Sequence, residues 1–345
     1  MKRIAFEEHF STEEQIDCLR LILEKEYPVP EVIQDEKFLN MELGWVPTSS
    51  QAPFVLRGAD TIRNKLLDVG EGRLGEMDEA GIDMQVLSLV CPGVQVFDAP
   101  TGTAMAKKTN DKLSQVVREY PQRFAGLATL APQNPDEAAD ELERAVKELG
   151  LKGANINSHT KGEYLDDKKY WVILERAEKL GVPVYIHPRM PSPDMVKPYL
   201  AYPGLATAMC GFGAEAGLHA LRLICSGVFD EYPGLKIILG HIGEALPFWL
   251  WRLDKTWLMG PLGEKRRKKP SEYIKDNFLI TTSGLFSQPA LLCAYMELGA
   301  DNILFAVDYP FQSNKEAVQF MGSVPICDSD KEKIYHLNAE RLLGL

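Results

Sequence analysis

The sequence predicts a (β/α)8 barrel, an α/β fold in which eight parallel strands form a closed ring inside a layer of helices. Short apolar segments rich in β-branched residues alternate with amphipathic stretches, which is typical of repeated βα units. Most of the predicted strands are nearly continuous apolar runs, as expected of strands buried on both faces. Because one barrel can accommodate a chain of 345 residues, we expect residues 1–345 to form a single domain.

Eight segments have the pattern of buried strands. In chain order they are Arg3–Glu7, Met84–Val90, Phe124–Thr129, Gly153–Asn157, Pro183–His187, Lys236–Gly240, Phe278–Thr282 and Ile303–Val307. Helical patterns lie between them, and the clearest is Asp136–Leu149, where apolar residues recur every three or four positions. Pro135 precedes this segment and Gly150 follows it, which are the residues expected at the two ends of a helix.

A long segment after the first strand departs from this alternation. Residues 27–60 carry four prolines and show little periodicity. A loop of this length in a compact domain is usually a functional or an interaction element. Because it follows the first strand, it would lie at the mouth of the barrel, where the loops build active sites. The sequence therefore predicts an insertion that acts as a lid or a subunit contact, with a passive insertion as the alternative.

The composition argues against several classes of partner. The net charge of −11 disfavours nucleic acid, which requires clustered lysine and arginine. No stretch approaches the roughly 18 consecutive apolar residues of a membrane span, and Glu7 and Glu8 lie where a signal peptide would be apolar. The six cysteines are scattered and lack a close-spaced pair, so we expect free, buried thiols. These features predict a cytoplasmic protein without a membrane or nucleic-acid partner.

Carboxylates and imidazoles follow three of the predicted strands, at the end where barrel enzymes place their chemistry. Glu7 and His9 leave the first strand on the same side, because side chains alternate with a period of two. His187 ends the fifth predicted strand and Asp308 follows the eighth. Such ligands suit Zn²⁺ or Mn²⁺ and leave a coordination position open for water or substrate. The sequence therefore predicts a metal site formed by Glu7, His9, His187 and Asp308.

His241 follows the sixth predicted strand at the same face of the barrel, with Glu244 three residues later. Each of these residues alone also has a structural interpretation. A lone histidine is often satisfied within the core, and an aspartate before Tyr-Pro can form an Asx turn. Their occurrence together favours a functional site over separate structural roles, since three of only six histidines end strands on one face.

The neighbouring polar residues have simpler interpretations. Glu8 is expected to be a solvent-facing neighbour of Glu7 and His9. His219 lies in the helical run from Glu215 to Ser226, so a structural role is expected. His336 lies near the C-terminus and is expected to be structural or exposed. His159 follows the fourth strand, where a structural role and a position behind the metal ligands are both open.

Together these motifs resemble the amidohydrolase superfamily. The residues that carry the resemblance are Glu7-x-His9, His187-Pro188, His241-x-x-Glu244 and Asp308-Tyr309-Pro310-Phe311. Within the superfamily the chain is similar to the branch that contains aminocarboxymuconate-semialdehyde decarboxylase and γ-resorcylate decarboxylase. Leu221–Asp230 and Asn338–Leu342 extend the resemblance over nearly the whole chain. The expected fold is therefore a TIM-like barrel of the amidohydrolase type with an insertion after strand 1.

Two departures from the wider superfamily refine this expectation. Hydrolases with two metal ions carry His-x-His on the first strand and a carbamylated lysine after the fourth. This chain has Glu7-x-His9, and its fourth strand ends in Asn155-Ile156-Asn157 without a lysine, so the resemblance implies a single metal ion. Gln312 stands where relatives often carry glutamate, which leaves the exact substrate open.

The resemblance implies non-oxidative decarboxylation of a small aromatic acid of the ortho-hydroxybenzoate type. It implies one Zn²⁺ or Mn²⁺ ion and no organic cofactor. Asp308 would act as the acid and later as the base, with His241 and Glu244 as a proton relay. Three residues are expected to contact the substrate: Arg252, Asn157 and Phe212. For Arg252, a structural ion pair is an equal alternative.

The alternative function is hydrolysis or hydration by a metal-bound hydroxide, acting on a lactone, an amide or an unsaturated diacid. The same four ligands would serve, and Asp308 would then be the general base. A non-catalytic barrel is disfavoured because the expected metal ligands are all present.

We expect a homodimer or a homotetramer that is assembled partly through residues 27–60. This segment is too rich in apolar and aromatic residues, Trp45 and Phe38 among them, for a solvated loop. Twofold symmetry is the commonest way to cover such a surface. Light scattering at micromolar concentration tests the assembly, and a monomeric mass would reject it. An oligomer that survives deletion of the segment would leave the segment as a lid alone.

Overall fold

The computed structural model describes residues 1–17, 59–202 and 204–345. Residues 27–58, which form most of the predicted insertion, lie outside these ranges. The proposed lid or subunit contact therefore stays a prediction.

The described strands are all paired in parallel. In chain order they are β1 (Ile4–Phe10), β2 (Met84–Leu89), β3 (Phe124–Gly126), β4 (Ala128–Thr129), β5 (Ala154–Asn157), β6 (Val184–His187), β7 (Ile237–Leu239), β8 (Phe278–Thr281) and β9 (Ile303–Leu304). The strands β1, β2 and β3 are neighbours in that order, and β4 to β9 follow one another in a second run. Within each run, every strand pairs with the next one along the chain, as in repeated βα units.

The strands β3 and β4 are two halves of the third predicted strand. Only Leu127 separates them, and its N–H donates to the Leu87 carbonyl on one side at 2.9 Å. The next amide, Ala128 N–H, donates to the Gly153 carbonyl on the other side at 2.8 Å. The prediction of one strand over Phe124–Thr129 is therefore correct, with a change of hydrogen-bond partner at its middle.

The barrel closes between β1 and the chain that continues β9. Phe6 N–H donates to the Phe305 carbonyl at 3.0 Å, and His9 N–H donates to the Tyr309 carbonyl at 2.7 Å. Between them, Asp308 N–H donates to the Glu7 carbonyl at 3.0 Å. These bonds join the first strand to the last, so the parallel strands form the predicted closed barrel.

Helices cover the outside of the barrel. They are α1 (Ala59–Leu67), α2 (Glu71–Ala80), α3 (Ala99–Glu119), α4 (Pro135–Lys147), α5 (Trp171–Leu180), α6 (Gly211–Ser226), α7 (Val228–Glu231), α8 (His241–Glu244), α9 (Leu246–Trp257), α10 (Pro270–Asn277), α11 (Gln288–Leu298), α12 (Asn314–Ser323), α13 (Asp328–Glu332) and α14 (Asn338–Leu343). Short 3-10 segments lie at Lys168–Tyr170, Lys197–Ala201 and Ala300–Asn302, and a π-helical turn lies at Lys333–Leu337. The helix predicted over Asp136–Leu149 is α4, and it ends two residues earlier than expected, at Lys147.

Alternation along the strands separates two apolar cores. On β6, Val184 and Ile186 pack in the outer core between strands and helices. Tyr185 packs in the inner core with side chains such as Phe6 and Ile238. Because successive side chains point to opposite faces, His187 follows Tyr185 inward, at the carboxyl end of the strand. This alternation brings polar strand-end residues to the mouth of the barrel.

No helix in the described ranges is both long and apolar enough to span a membrane. The expectation of buried thiols is wrong for Cys210 and Cys327, which are exposed, and Cys91, Cys225 and Cys293 are only partly buried. The two exposed residues immediately precede a helix, α6 and α13 respectively, in connecting segments at the surface rather than on an apolar helix face.

Candidate metal centre

The four predicted ligands converge at one end of the barrel. Glu7 and His9 lie on β1, His187 ends β6, and Asp308 follows β9. One possible ligand atom from each residue lies within 4.8 Å of those of the other three. His9 Nε2 is 3.1 Å from Asp308 Oδ1, and His187 Nε2 is 3.3 Å from Glu7 Oε1. Imidazole nitrogens and carboxylate oxygens at this spacing fit a divalent cation such as Zn²⁺ or Mn²⁺.

The two carboxylate oxygens of Glu7 have different surroundings. The hydroxyl groups of Tyr185 and Ser283 donate to Oε2, and Thr281 Oγ1 donates to the same atom at 3.0 Å. Among the described residues, Oε1 accepts no hydrogen bond, although it is fully buried. A buried carboxylate oxygen without a donor is unfavourable unless a cation or another donor satisfies it. The orphaned Oε1 therefore supports a cation between Glu7 and the histidines.

These hydroxyl groups were not among the residues predicted from the sequence. Tyr185 precedes His187 by two positions, Thr281 ends β8, and Ser283 follows two residues later. The period of two places each pair on the same face, so this signal was present in the sequence. Ser88 was also missed; its Oγ on β2 lies 3.4 Å from His9 Nδ1, the ring nitrogen that faces away from Asp308. Such contacts orient the ligand rings.

His241 and Glu244 meet through a left-handed turn. Residues 241–245 all have positive φ, with values of 50°, 56°, 74°, 52° and 62°. The turn brings His241 Nδ1 to 2.8 Å from Glu244 Oε1, and His241 N–H donates to Ser283 Oγ at 3.2 Å. His241 Nε2 then lies 3.8 Å from Asp308 Oδ2 and 4.0 Å from Glu7 Oε1. Non-glycine residues with positive φ are strained, and such strain is concentrated at functional sites.

Gly284 leaves room for this pair of side chains. It has a φ of +60°, and a Cβ atom at this position would lie 2.8 Å from His241 Cδ2 and 3.1 Å from Asp308 Oδ2. A larger residue would displace His241 or Asp308, so the approach of the chain after β8 requires glycine.

The charges of the side chains favour a proton on His241 in the metal-free cluster. Burial lowers the pKa of His241, but Glu244 and Glu7 more than offset this and hold the pKa well above its usual value. Burial raises the pKa of Asp308, but the nearby His241 ring and the hydrogen bond with His9 hold it below its usual value. Burial also lowers the pKa of His9, which keeps its ring neutral as a metal ligand requires. In the metal-free cluster these charges therefore favour a carboxylate at Asp308 beside a protonated His241.

The cluster opens towards solvent on the side of His241 and Asp308. Among the described residues, the side chains of Glu7 and His9 are fully buried, whereas His241 is 23% exposed and Asp308 15% exposed. A small molecule that approaches the described part of the site would meet this pair, while the buried ligands lie behind it.

Glu8 corrects one sequence interpretation, because it is fully buried and not solvent-facing. Its Oε1 accepts Val307 N–H at 2.9 Å, and its Oε2 accepts Tyr309 N–H at 3.2 Å. Burial raises the pKa of Glu8 above its usual value, although the hydrogen bond from Val307 N–H and the charge of Arg73 both act to lower it. The Glu8 side chain points away from the metal ligands, towards the outside of the barrel. In a closed barrel that side is covered by the layer of helices, so the side chain is buried.

The three residues expected to contact substrate have different surroundings. Asn157 pairs with His187 across β5 and β6 and is buried, and its side-chain oxygen and nitrogen have no hydrogen-bond partner among the described residues. Phe212 packs on an apolar cluster around Met190 at the start of α6. Arg252 lies on the exposed side of α9. Their roles in substrate binding stay predictions.

His159 and His219 are structural. His159 Nε2 lies 3.1 Å from the Met190 carbonyl, and its Nδ1 accepts Gly162 N–H at 3.1 Å. His219 Nε2 accepts Leu165 N–H at 3.1 Å, and its Nδ1 lies 3.2 Å from an adjacent serine hydroxyl. Burial lowers the pKa of His159 to about 2 and that of His219 to about 3. Both rings are neutral and fully bonded, as predicted for His219, and the open question about His159 is answered.

Known proteins are similar to the chain over its whole length. The Amidohydrolase family model matches residues 67–345. The gamma-resorcylate decarboxylase of Polaromonas sp. is 37% identical over 353 aligned positions, which cover 99% of this chain and 98% of that protein. The crystal structure of 5-carboxyvanillate decarboxylase from Sphingomonas paucimobilis has 40% identity and a TM-score of 0.90, and the match covers 100% and 99% of the two chains. A dihydroxybenzoic acid decarboxylase from Polaromonas sp., solved with manganese and the inhibitor 2-nitroresorcinol, has 37% identity and a TM-score of 0.86 over 100% and 97% of the chains.

We expect one tightly bound divalent ion per chain, and we expect His187→Ala to lose it or bind it far more weakly. The substitution removes one of the four converging ligand atoms. Elemental analysis after dialysis measures the metal content. His336→Ala is the control, since this ring bonds Glu340 at 3.1 Å on the C-terminal helix and should keep the ion. Two tightly bound ions per parent chain would contradict a single-metal site.

Proposed function

The chain belongs to the amidohydrolase family, and we propose that it is a metal-dependent, non-oxidative decarboxylase of an aromatic acid with a hydroxyl group ortho to its carboxylate. It is thus a carboxy-lyase of this superfamily. The observation that carries the proposal is the geometry of the site, in which four ligands converge, three of them buried, and His241 lies at their open side. The decarboxylases that match the whole chain support the same reaction class.

The residues that would hold the metal are Glu7, His9, His187 and Asp308. We propose one Zn²⁺ or Mn²⁺ ion and no organic cofactor; the manganese in the related Polaromonas enzyme supports Mn²⁺. When bound, the ion supplies positive charge that orients and polarises the carboxylate and ortho-hydroxyl oxygens of the substrate.

The proton chemistry follows from the pair of residues at the open side. Direct loss of CO₂ would leave an aryl carbanion, so protonation of the ring carbon that bears the carboxylate must come first. His241 holds a proton in the resting site, and its Nε2 is 3.8 Å from Asp308 Oδ2. Asp308 can therefore act as the acid only after it receives the proton of His241.

The stoichiometry of the reaction sets the return step. Decarboxylation of a carboxylate consumes one proton, which remains on the product ring. Restoration of aromaticity expels CO₂, and the His241–Asp308 pair then takes up one proton from water. Glu244 supports this cycle because its carboxylate lies 2.8 Å from His241 Nδ1 and favours the charged ring.

The proposed substrate contacts are inferred from the sequence and from the burial of the side chains. Asn157 supports a substrate role best, since both of its buried side-chain polar atoms are free for a ligand within the described part of the chain. Phe212 and Arg252 are retained as candidates from the resemblance alone.

A single barrel domain, a homodimer or homotetramer, and a cytoplasmic location complete the proposal. The single domain is supported by the bonds between β1 and the chain after β9, which join the two ends of the sequence in one barrel. The assembly and the location rest on the sequence alone.

The test of the reaction is CO₂ release by the metal-loaded protein from 2,6-dihydroxybenzoate, 2,4-dihydroxybenzoate, salicylate and 5-carboxyvanillate. Benzoates without an ortho hydroxyl, such as 4-hydroxybenzoate, are the matched controls and should not react. Lactones and unsaturated diacids are tested in parallel. Turnover of these compounds without CO₂ release from any ortho-hydroxy acid would replace decarboxylation with hydrolysis or hydration.

We expect His241→Asn to fold and to keep its metal, but to lose at least about 100-fold in kcat, in line with the loss of a general acid. The side chain lies beside the four ligands and supplies the proton rather than holding the ion. Metal content and kcat are measured on the same preparation. An unchanged kcat would remove His241 from the mechanism, and loss of the metal would make it a ligand.

We expect Glu244→Gln to shift the alkaline limb of the kcat profile to lower pH. Glu244 is the group that contributes most to the raised pKa of His241. Without its charge the pKa of His241 falls, so the ring loses its proton at lower pH and the active acid form disappears earlier. The measurement is kcat from pH 5 to 10, with Glu264→Gln on an outer loop as the control. An alkaline limb at the parent position would contradict the relay.

A further inference from the structure

We propose that Glu8 and Arg73, two buried residues outside the ring of ligands, position His9 and Asp308 for the metal ion. The proposal rests on the metal centre proposed above. Neither residue is among the four converging ligands, and the side chains of both are fully buried behind them. They are positioning residues that would act through the backbone of their neighbours.

Glu8 fixes the chain on both sides of Asp308. Its carboxylate reaches from β1 to the segment after β9 and accepts the N–H groups of Val307 at 2.9 Å and Tyr309 at 3.2 Å. Asp308 has a φ of +80°, a conformation that a non-glycine residue rarely adopts. The surroundings must therefore hold Asp308 in place. The bonds to the residues before and after it supply that restraint.

Arg73 contacts the backbone of the other ligand. Its Nη2 donates to the His9 carbonyl at 2.5 Å and to the Lys65 carbonyl at 3.0 Å. Its guanidinium group also lies 4.5 Å from the centre of the Tyr309 ring, the residue that follows Asp308. One side chain from α2 thus contacts both the strand that carries His9 and the segment that carries Asp308.

Gln85 links the two positioning residues. Its Oε1 lies 3.4 Å from Arg73 Nη1, and its Nε2 lies 3.4 Å from Glu8 Oε2. A buried carboxylate and a buried guanidinium are each unfavourable, and the attraction between their opposite charges offsets part of this cost. Apolar side chains could fill the same volume, but they would leave the Val307 and Tyr309 N–H groups without acceptors. The polar pair therefore supplies directed hydrogen bonds that an apolar filling could not supply.

The test is the affinity of the metal-free protein for Mn²⁺ alone, measured from the free-ion signal in electron paramagnetic resonance. Glu8→Gln keeps the shape but turns one acceptor oxygen into an N–H donor that faces a backbone N–H. Arg73→Met keeps much of the length but removes every donor. We expect each substitution to raise the Kd by about 10- to 100-fold, the usual effect of groups that support metal ligands. The line shape of the bound ion should change as well.

Glu141→Gln is the matched control. Glu141 is also a buried carboxylate, but on α4 it bonds Asn110 at 2.7 Å and Arg144 at 2.8 Å, outside the metal cluster. Its Kd for Mn²⁺ should equal that of the parent. Circular dichroism checks that each variant is folded. If Glu8→Gln or Arg73→Met does not fold, the milder Glu8→Asp and Arg73→Lys replace it, with a smaller rise in Kd expected.

Folded variants of Glu8 and Arg73 that bind Mn²⁺ as tightly as the parent would overturn the proposal. An equal loss in Glu141→Gln would overturn it too, because the effect would then be general destabilisation. A parent chain that binds no Mn²⁺ would remove the metal centre and this inference with it. Because the readout needs no substrate, a chain that binds Mn²⁺ but releases no CO₂ would refute the reaction and leave the positioning role intact.

Discussion

The hydrogen bonds between β1 and the chain that continues β9 are the constraint on which the rest of the site depends. His9 and Asp308 are 299 positions apart in the sequence, yet their side chains meet at 3.1 Å. The backbone bond from Asp308 N–H to the Glu7 carbonyl fixes the register of this closure. A shift of one residue would turn Glu7 and His9 away from the mouth, because strand side chains alternate. Closure of the barrel and assembly of the ligands are therefore one event.

Charge compensation explains how a buried site can hold two ionised carboxylates. Hydroxyl groups satisfy one oxygen of Glu7, and the other oxygen faces His187 and His241. Burial opposes the charge on Glu7, but His241 and the neighbouring imidazoles hold its pKa below the usual value. Glu244 in turn favours the positive charge of His241 from the other ring nitrogen. The left-handed turn over residues 241–245 is strained. It brings Glu244 next to His241, so that the positive ring lies between the carboxylates of Glu244 and Glu7.

Three consecutive residues of β1 show how the barrel assigns different roles to similar side chains. Glu7 points inward and offers an open oxygen, whereas Glu8 points outward and binds two backbone N–H groups. His9 points inward again and approaches Asp308. All three are buried, because the interior and the helix layer both exclude water. A carboxylate next to a metal ligand can thus be as buried as the ligand itself without facing the ion.

The sequence by itself determined the barrel, the order of its strands and the four residues that converge on one point. Local patterns carry this information, since apolar runs mark buried strands and alternation places Glu7 and His9 on the same side of β1. The tertiary structure decided the environment of each residue. The sequence suggested a solvent-facing Glu8, but the helix layer with Arg73 covers it. The sequence shows Glu244 three residues after His241, but the left-handed backbone between them that brings their side chains together is seen only in the structure. In the metal-free cluster the charges favour a proton on His241 rather than on Asp308, because a pKa depends on burial and on charges from strands far apart in the chain. These quantities depend on distances between segments, and local patterns contain no such distances.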